Sequence, residues 1–285
     1  MTPIEQRYAI QDIDIATLEY GNSKTADISV VFLHGWLDNA ASFSTVMAEL
    51  HHLEPQLHLC AIDLPGHGLS GHKKGSNFYP FHDYLDDIYQ FLVNLSPNRV
   101  VLVGHSLGAL IASCYSAAFP EQVSGLVQIE GYGPLAETEE NTLSRIKEGI
   151  ASRQRIRKKP VRAMTSLQNA IERRAKVNDI EASLIAPVVK RGIEQQGEHW
   201  IWRHDVKLQS QSLYRMSLKH AQFIRQNISC PQLVVLGNRG FSHLPVFQQE
   251  ASDMTQFEVI EGGHHCHLEQ PFRVSNLIFG LVNKI

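Results

Sequence analysis

The sequence predicts an α/β protein in which a mostly parallel sheet is covered by helices on both faces and interrupted by an inserted helical lid. Two observations support this prediction. Short continuous apolar runs alternate with helical patterns along both ends of the 285-residue chain, which is typical of parallel strands buried on both faces. The stretch 134–225 breaks this alternation, because it shows helical patterns with no convincing strand.

The apolar runs define six predicted strands, with helices between them. The strands are predicted over residues 28–33, 57–62, 99–103, 125–129, 232–236 and 257–260, and helices over 42–50, 84–95 and 107–119. The carboxyl ends of parallel strands meet at one edge of the sheet, and ligands bind there. Functional side chains are therefore expected in the residues that directly follow these strands.

Charge separates the chain into a core, 1–133 with 226–285, and a lid, 134–225. The lid holds 18 Lys+Arg and 10 Asp+Glu, whereas the remainder holds 8 and 19. The densest basic cluster of the lid consists of Arg153, Arg155, Arg157, Lys158, Lys159 and Arg162. Such a cluster is either a solvated helix face or a surface that attracts anionic substrates or lipid headgroups.

Composition excludes several classes of protein. The formal net charge of −3 argues against a nucleic-acid partner. No apolar run has the length of a membrane helix, so stable membrane insertion is not expected. The N-terminal residues lack the apolar region of a signal peptide, and the four cysteines form no CxxC pair. A cytoplasmic protein with free thiols is predicted, and monomer and homodimer both remain open.

The pentapeptide Gly104-His105-Ser106-Leu107-Gly108 fits the pattern G-x-S-x-G. It follows a predicted strand and opens an Ala-rich predicted helix, which is the context of a nucleophile elbow. The two glycines permit a sharp turn that exposes the Ser106 hydroxyl. The helix that begins at Leu107 directs free N–H groups and its positive dipole end at any charge that forms there. Ser106 is therefore the candidate nucleophile.

His34-Gly35-Trp36 follows the first predicted strand and is the candidate oxyanion loop. The N–H of Trp36 is expected to join the Leu107 amide in binding the anionic oxygen of a tetrahedral intermediate. The Trp36 indole would then line the acyl pocket. For His34, hydrogen bonding to nearby backbone is favoured over proton transfer.

Three histidines follow the last predicted strand in Gly262-Gly263-His264-His265-Cys266-His267. A metal site is one interpretation, but the spacing is not a metal signature, and no metal is predicted. His264 comes directly after the double glycine, which frees it to reach Ser106 as the general base. His267 and Glu269 are expected to begin and cap the following helix.

A triad also needs a carboxylate that orients the base. The loop after the strand 232–236 reads Gly237-Asn238-Arg239-Gly240 and contains none. Glu130, at the end of strand 125–129, is the nearest candidate, and Ser106, Glu130 and His264 then follow the chain order of this architecture. The alternative is that Glu130 caps the first lid helix or pairs with a lid arginine.

On these residues the chain resembles the α/β-hydrolase superfamily. The matching motifs are HGWLDN from His34, DLPGHGLS from Asp63, GHSLG from Gly104 and GGHHCHLEQP from Gly262. HGWLDNAASF makes it most similar to the serine hydrolase-like proteins and related proteobacterial hydrolases. The resemblance implies the α/β-hydrolase sheet, the lid (cap) and the triad roles, with Asp63 and His67 structural. The absence of an acid at Gly240 departs from the commoner pattern.

The leading hypothesis is an enzyme that hydrolyses a small-molecule carboxylic ester or thioester through an acyl-enzyme on Ser106, with His264 as general base and no cofactor. The alternatives are C–C hydrolysis, acyl transfer or perhydrolysis at the same site, or a weakly active ligand-binding protein. Fold and triad do not determine the substrate.

Overall fold

The computed structural model describes residues 2–11, 13–160 and 163–285. The strands are β1 (Ile4–Ile10), β2 (Ile13–Tyr20), β3 (Ile28–Leu33), β4 (His58–Ile62), β5 (Arg99–His105), β6 (Val123–Ile129), β7 (Ala136–Glu137), β8 (Ile193–Gln196), β9 (His199–Trp202), β10 (Met216–Ser217), β11 (Gln232–Gly237) and β12 (Thr255–Ile260). The helices are α1 (Ser44–Leu53), α2 (Asp83–Leu95), α3 (Leu107–Ala118), α4 (Thr142–Arg157), α5 (Leu167–Asn178), α6 (Ala182–Gly192), α7 (Leu218–Gln226), α8 (Cys266–Glu269) and α9 (Pro271–Val282).

Eight strands form the central sheet in the order β1-β2-β4-β3-β5-β6-β11-β12. Six neighbouring strands of this sheet pair in parallel, namely β4, β3, β5, β6, β11 and β12. They correspond to the six predicted runs. The side chains of β3 show why the runs are continuous: Val30 and Phe32 pack into the core on one face of the sheet, and Val31 and Leu33 into the core on the other. The prediction of a parallel sheet covered on both faces is confirmed.

The antiparallel edge of the sheet was not predicted. Strands β1 and β2 form a hairpin that pairs from Ile4 with Glu19 to Ile10 with Ile13, and β2 continues antiparallel to β4. Most of β1 is exposed, so it lacks the apolar run by which the inner strands were recognised. An edge strand needs only one buried face, and its pattern is correspondingly weak.

The prediction that the stretch 134–225 is helical throughout is wrong. It contains four helices, α4 to α7, together with the hairpin β8–β9 and the two-residue pair of β7 with β10. The hairpin joins Gln196 to His199 through a two-residue loop in which Gly197 has φ +59°. A glycine in such a loop is a recognised hairpin signal, and here it lay inside a segment dominated by helical residues.

Two buried ion pairs attach the lid segment to the core. Arg174 of α5 donates to Asp38 at 2.6 Å, and Arg191 of α6 donates to both oxygens of Asp63 at 3.0 Å. Both carboxylates are buried. Since an uncompensated buried charge is strongly unfavourable, each arginine ties its lid helix to a fixed place above the sheet edge.

Two arginines of the basic lid cluster pack against an aromatic ring. The guanidinium groups of Arg153 and Arg157 lie 4.6 and 5.2 Å from the centre of the Phe78 ring, within the range of cation–π contact. Arg162 lies outside the described residues. The last lid helix, α7, packs on α3 of the core. None of the helices in the described part of the chain is both long and apolar enough to cross a bilayer.

Candidate active site

The chain turns sharply at Ser106, between β5 and α3. Ser106 has φ 49° and ψ −115°, a strained conformation for a residue with a side chain. Its N–H donates to the Ile129 carbonyl at 2.9 Å, and its own carbonyl accepts from the Ala109 N–H at 2.9 Å. These bonds hold the hydroxyl at the carboxyl edge of the sheet, as expected for a nucleophile elbow.

The glycines of the pentapeptide are required by close backbone contacts. A Cβ at Gly104 would lie 2.4 Å from the Ala109 nitrogen, and a Cβ at Gly108 would lie 1.9 Å from the Leu33 carbonyl oxygen. Helix α3 therefore begins directly against the end of β3. A side chain at either glycine would separate the elbow from the oxyanion loop.

Gly108→Ala is expected to destabilise the protein by at least about 1–3 kcal/mol, the usual effect of overpacking, because the Leu33 backbone cannot yield as a flexible side chain would. Thermal unfolding measures this. The matched control is Gly280→Ala in α9, where a Cβ meets nothing within 4 Å, and which should be neutral or slightly stabilising. Equal melting temperatures for the two variants would contradict the packing argument.

His264 and Glu130 meet at the same edge of the sheet. The distance from His264 Nδ1 to Glu130 Oε2 is 3.3 Å. The Glu130 carboxylate is 1% exposed, and it also accepts from the backbone N–H groups of Gly237 at 2.8 Å and Phe241 at 2.9 Å. The carboxylate therefore faces the loop 262–267 that carries His264, here called the base loop. It does not face a lid helix or a lid arginine, as the alternative interpretation required.

The Glu130 carboxylate lies where a side chain at residue 240, the commoner position of the triad acid, would have to lie. A Cβ on Gly240 would lie only 2.1 Å from Glu130 Oε1. The carboxylate delivered from the end of β6 thus fills the space that a side chain at residue 240 would need. A side chain at residue 240 and the present Glu130 carboxylate therefore exclude each other sterically.

The hydroxyl of Ser106 and the imidazole of His264 both lie at the carboxyl edge of the sheet. The hydrogen bonds of the described residues do not include one between them. The His264 side chain is 27% exposed, and its ring packs 4.2 Å from that of Phe241 and 4.8 Å from that of His105, the residue before Ser106. Catalytic hydrogen bonds are often long in a substrate-free enzyme and shorten when substrate binds.

The predicted oxyanion loop lies against the elbow. A Cβ on Gly35 would be 3.3 Å from the Ser106 Cβ. The Trp36 indole N–H donates to the Leu208 carbonyl at 2.9 Å, which leaves the Trp36 backbone N–H as the candidate donor. In the described part of the chain, neither this N–H nor that of Leu107 donates to another protein atom.

The side chains of His34 and Asp63 are buried and bond to backbone groups of neighbouring loops. The buried His34 ring bonds to the Gly35 carbonyl at 2.7 Å and accepts from the Leu64 N–H at 2.9 Å. Asp63 accepts from the N–H groups of Ala40 and Leu69, both at 2.7 Å. Together they fix the loops that follow β3 and β4.

The three histidines of the base loop face three different partners. His264 faces Glu130, His265 Nε2 lies 3.1 Å from Asp38, and His267 Nε2 lies 2.8 Å from the Ser42 hydroxyl. Burial lowers the pKa of His267 to about 3, so its ring is neutral. His267 and Glu269 fall inside α8, and the Glu269 carboxylate accepts from the Gly263 N–H at 2.5 Å, which holds the double glycine rather than capping the helix.

A buried network around Asp38 supports the base loop and was not predicted. Burial would raise the pKa of Asp38, but His265 and Arg174 hold it well below its usual range. His105 Nε2 donates to the His264 carbonyl at 2.8 Å, which fixes the backbone of the base. Asp38 itself lies in the HGWLDN motif that the sequence analysis quoted. Its partners could not be recognised, because they lie more than 60 residues away along the chain.

The atoms of Asp38, His105 and His265 that face one another lie within 4.8 Å, close enough for one metal ion to bridge them. However, the Asp38 carboxylate already binds the Arg174 guanidinium, whose positive charge opposes a dication. The cluster therefore suits an ion-pair network better than a metal centre.

The chain belongs to the α/β-hydrolase family. The family model for the alpha/beta hydrolase fold matches residues 28–271, which include the elbow, the base loop and Glu130. Membership supports a hydrolase enzyme.

Two curated relatives are serine hydrolase-like proteins. The protein from Danio rerio is 25% identical over 262 residues, which are 87% of this chain and 79% of the relative. The protein from Dictyostelium discoideum is 28% identical over 275 residues, 90% and 75% of the two chains. Among solved structures, the hypothetical protein PA1622 from Pseudomonas aeruginosa PAO1 is similar, with a TM-score of 0.89, 26% identity and 99% of each chain covered.

Proposed function

We propose that the protein hydrolyses a small-molecule carboxylic ester or thioester through an acyl-enzyme on Ser106. The contact between His264 and Glu130 beside the Ser106 elbow carries this proposal. An imidazole whose Nδ1–H donates to a buried carboxylate has its Nε2 turned away from that carboxylate and available as a base.

In the first half of the reaction, the Ser106 oxygen attacks the substrate carbonyl carbon while His264 Nε2 accepts the hydroxyl proton. Negative charge forms on the carbonyl oxygen, where the backbone N–H groups of Trp36 and Leu107 stabilise it. Loss of one such donor typically lowers the rate by about 10²–10³. His264 then gives its proton to the leaving alcohol or thiol, and the acyl group stays on Ser106.

In the second half, water attacks the acyl-enzyme while His264 again accepts a proton. Glu130 stabilises the imidazolium that forms twice in each turnover. Its bonds from Gly237 and Phe241 keep the carboxylate fixed. The acid, the base and the nucleophile are thus supplied by the ends of β6, β12 and β5.

A fluorophosphonate probe tests this proposal, because it reacts covalently with activated serines and does not depend on knowing the substrate. Stoichiometric labelling of the wild-type protein at Ser106, identified by peptide mass spectrometry, is the expected result. The Ser106→Ala variant provides the control and should take up no label. A folded wild-type protein that is not labelled would instead indicate a ligand-binding protein.

A further inference from the structure

A cavity of about 730 Å³ lies between the lid and the core, beyond the oxyanion loop. Its core wall includes Trp36 and the residues 68–70, and its lid wall includes Trp202 of the hairpin and Val177 of α5. Ser106 and His264 are not among its lining residues. Trp36, on the core wall, directly follows Gly35, and a Cβ on Gly35 would lie 3.3 Å from the Ser106 Cβ. Its size is that of a small-molecule site.

The walls of this cavity carry an excess of positive charge. The lining cations are Arg7, Lys159, Arg173, Arg174 and Arg203, and the lining carboxylates are Glu194 and Asp205. Both carboxylates already form ion pairs within the protein. Glu194 pairs with Arg203 at 2.7 Å, and Asp205 pairs with Lys207 at 3.1 Å.

Among the described residues, three of the cations have no carboxylate partner. Arg174 is paired with Asp38, but Arg7 donates to the Leu69 carbonyl and Lys159 to the Gln209 side chain. Within residues 2–11, 13–160 and 163–285, neither of them nor Arg173 forms an ion pair. The cationic wall also acts on His204: burial, and then the charges of Arg174, His72 and Lys159, lower its pKa to about 4.

The rest of the lining is apolar. Trp36, Leu37, Met164, Val177, Ile201 and Trp202 present hydrocarbon and aromatic surface to the same space. An occupant that satisfies both parts of the wall combines an apolar segment with an anionic group. The three unpaired cations are exposed and hydrated, and they attract an anionic ligand more strongly than a neutral one.

We infer that this cavity binds the anionic end, a carboxylate or a phosphate, of the acyl substrate whose carbonyl reacts at Ser106. The inference rests on the proposed function and adds the substrate class. Trp36 would then separate the reacting carbonyl at Ser106 from the anionic end in the cavity. Its backbone N–H is the proposed oxyanion donor, and its indole N–H donates to the Leu208 carbonyl of the lid.

Two pairs of probes, each with one anionic and one neutral member, test the inference. For the carboxylate, mono-p-nitrophenyl glutarate is compared with p-nitrophenyl pentanoate. For the phosphate, acetyl-coenzyme A is compared with the neutral thioester S-acetyl-N-acetylcysteamine. The wild-type protein should hydrolyse the anionic member of at least one pair with kcat/KM about tenfold higher or more. That preference should fall as salt rises from 20 to 500 mM, because salt screens exposed charges. The pair that responds identifies the anion.

Arg173→Gln should lower the preference by about threefold to tenfold and leave the neutral probes unchanged. Lys176→Gln is the matched control: it removes an exposed cation from the same helix, α5, that does not line the cavity. Equal kcat/KM for both members of each pair, or a preference that Arg173→Gln does not change, would overturn the inference while Ser106 labelling still supports the proposed function.

If no probe is turned over and Ser106 is not labelled, the proposed function fails, and the cavity is then tested by binding alone. Calorimetric titration with glutarate and with coenzyme A should show binding that Arg173→Gln weakens and Lys176→Gln does not. Absence of binding, or equal binding by the two variants, would overturn the anion site.

Discussion

Ser106→Ala should lower kcat for short p-nitrophenyl esters by about 10⁴-fold or more, because the variant has no oxygen with which to form the acyl-enzyme. Thermal stability should change little, since the side chain makes no hydrogen bond within the described residues and alanine keeps the same Cβ. Steady-state hydrolysis, followed at the wavelength of p-nitrophenolate, measures the loss.

The matched control for this variant is Ser113→Ala. Ser113 lies on the same helix, α3, is buried, and donates to the Leu110 carbonyl at 2.9 Å. Loss of the Ser113 hydroxyl should leave kcat within about twofold of wild type, because this hydroxyl only bonds within its own helix and takes no part in the proposed reaction. A Ser106→Ala protein that hydrolyses the esters at the wild-type rate would show that another residue is the nucleophile.

Glu130→Gln should lower kcat by orders of magnitude, up to about 10⁴-fold, as for the acid of a comparable triad. The amide keeps the shape of the side chain and one oxygen acceptor, but it carries no charge to stabilise the imidazolium of His264. The control is Glu269→Gln, which alters a carboxylate that holds the same loop through the Gly263 N–H without touching the base. This control should cost less than about tenfold.

The contact with Gly240 supplies a second test of the same role. Glu130→Gly should be nearly inactive and should tolerate its φ of 50°. Adding Gly240→Asp to it introduces a new carboxylate into the vacated space, because the Cβ of residue 240 falls within 2.4 Å of the present Glu130 carboxyl atoms. The double variant should recover at least about tenfold in kcat over Glu130→Gly.

Two results would remove Glu130 from the triad. One is a loss of only a few-fold in Glu130→Gln. The other is a double variant no more active than Glu130→Gly while the folded structure and the labelling of Ser106 are retained. Gly240→Asp alone, with Glu130 present, should be destabilised by the overlap of the two side chains.

Much of the fold followed from local patterns. The inner strands are recognised because apolar residues predominate on both of their faces, and the elbow because its glycines, serine and flanking elements are adjacent in sequence. The edge hairpin β1–β2 and the lid hairpin β8–β9 were missed. Their strands are half-exposed or short, so their pairing gives little signal in a single sequence.

The sequence by itself determined the six parallel strands, the turn at Ser106 and the double glycine before His264, since these depend on residue size, polarity and backbone freedom over a few neighbouring positions. Only the tertiary structure decided which carboxylate faces the base and where the lid arginines bind. Glu130 and His264 are 134 residues apart, and Asp38 and Arg174 are 136 apart. Contacts over such separations arise when packing brings strand ends and lid helices to the same edge of the sheet, and no local pattern encodes them.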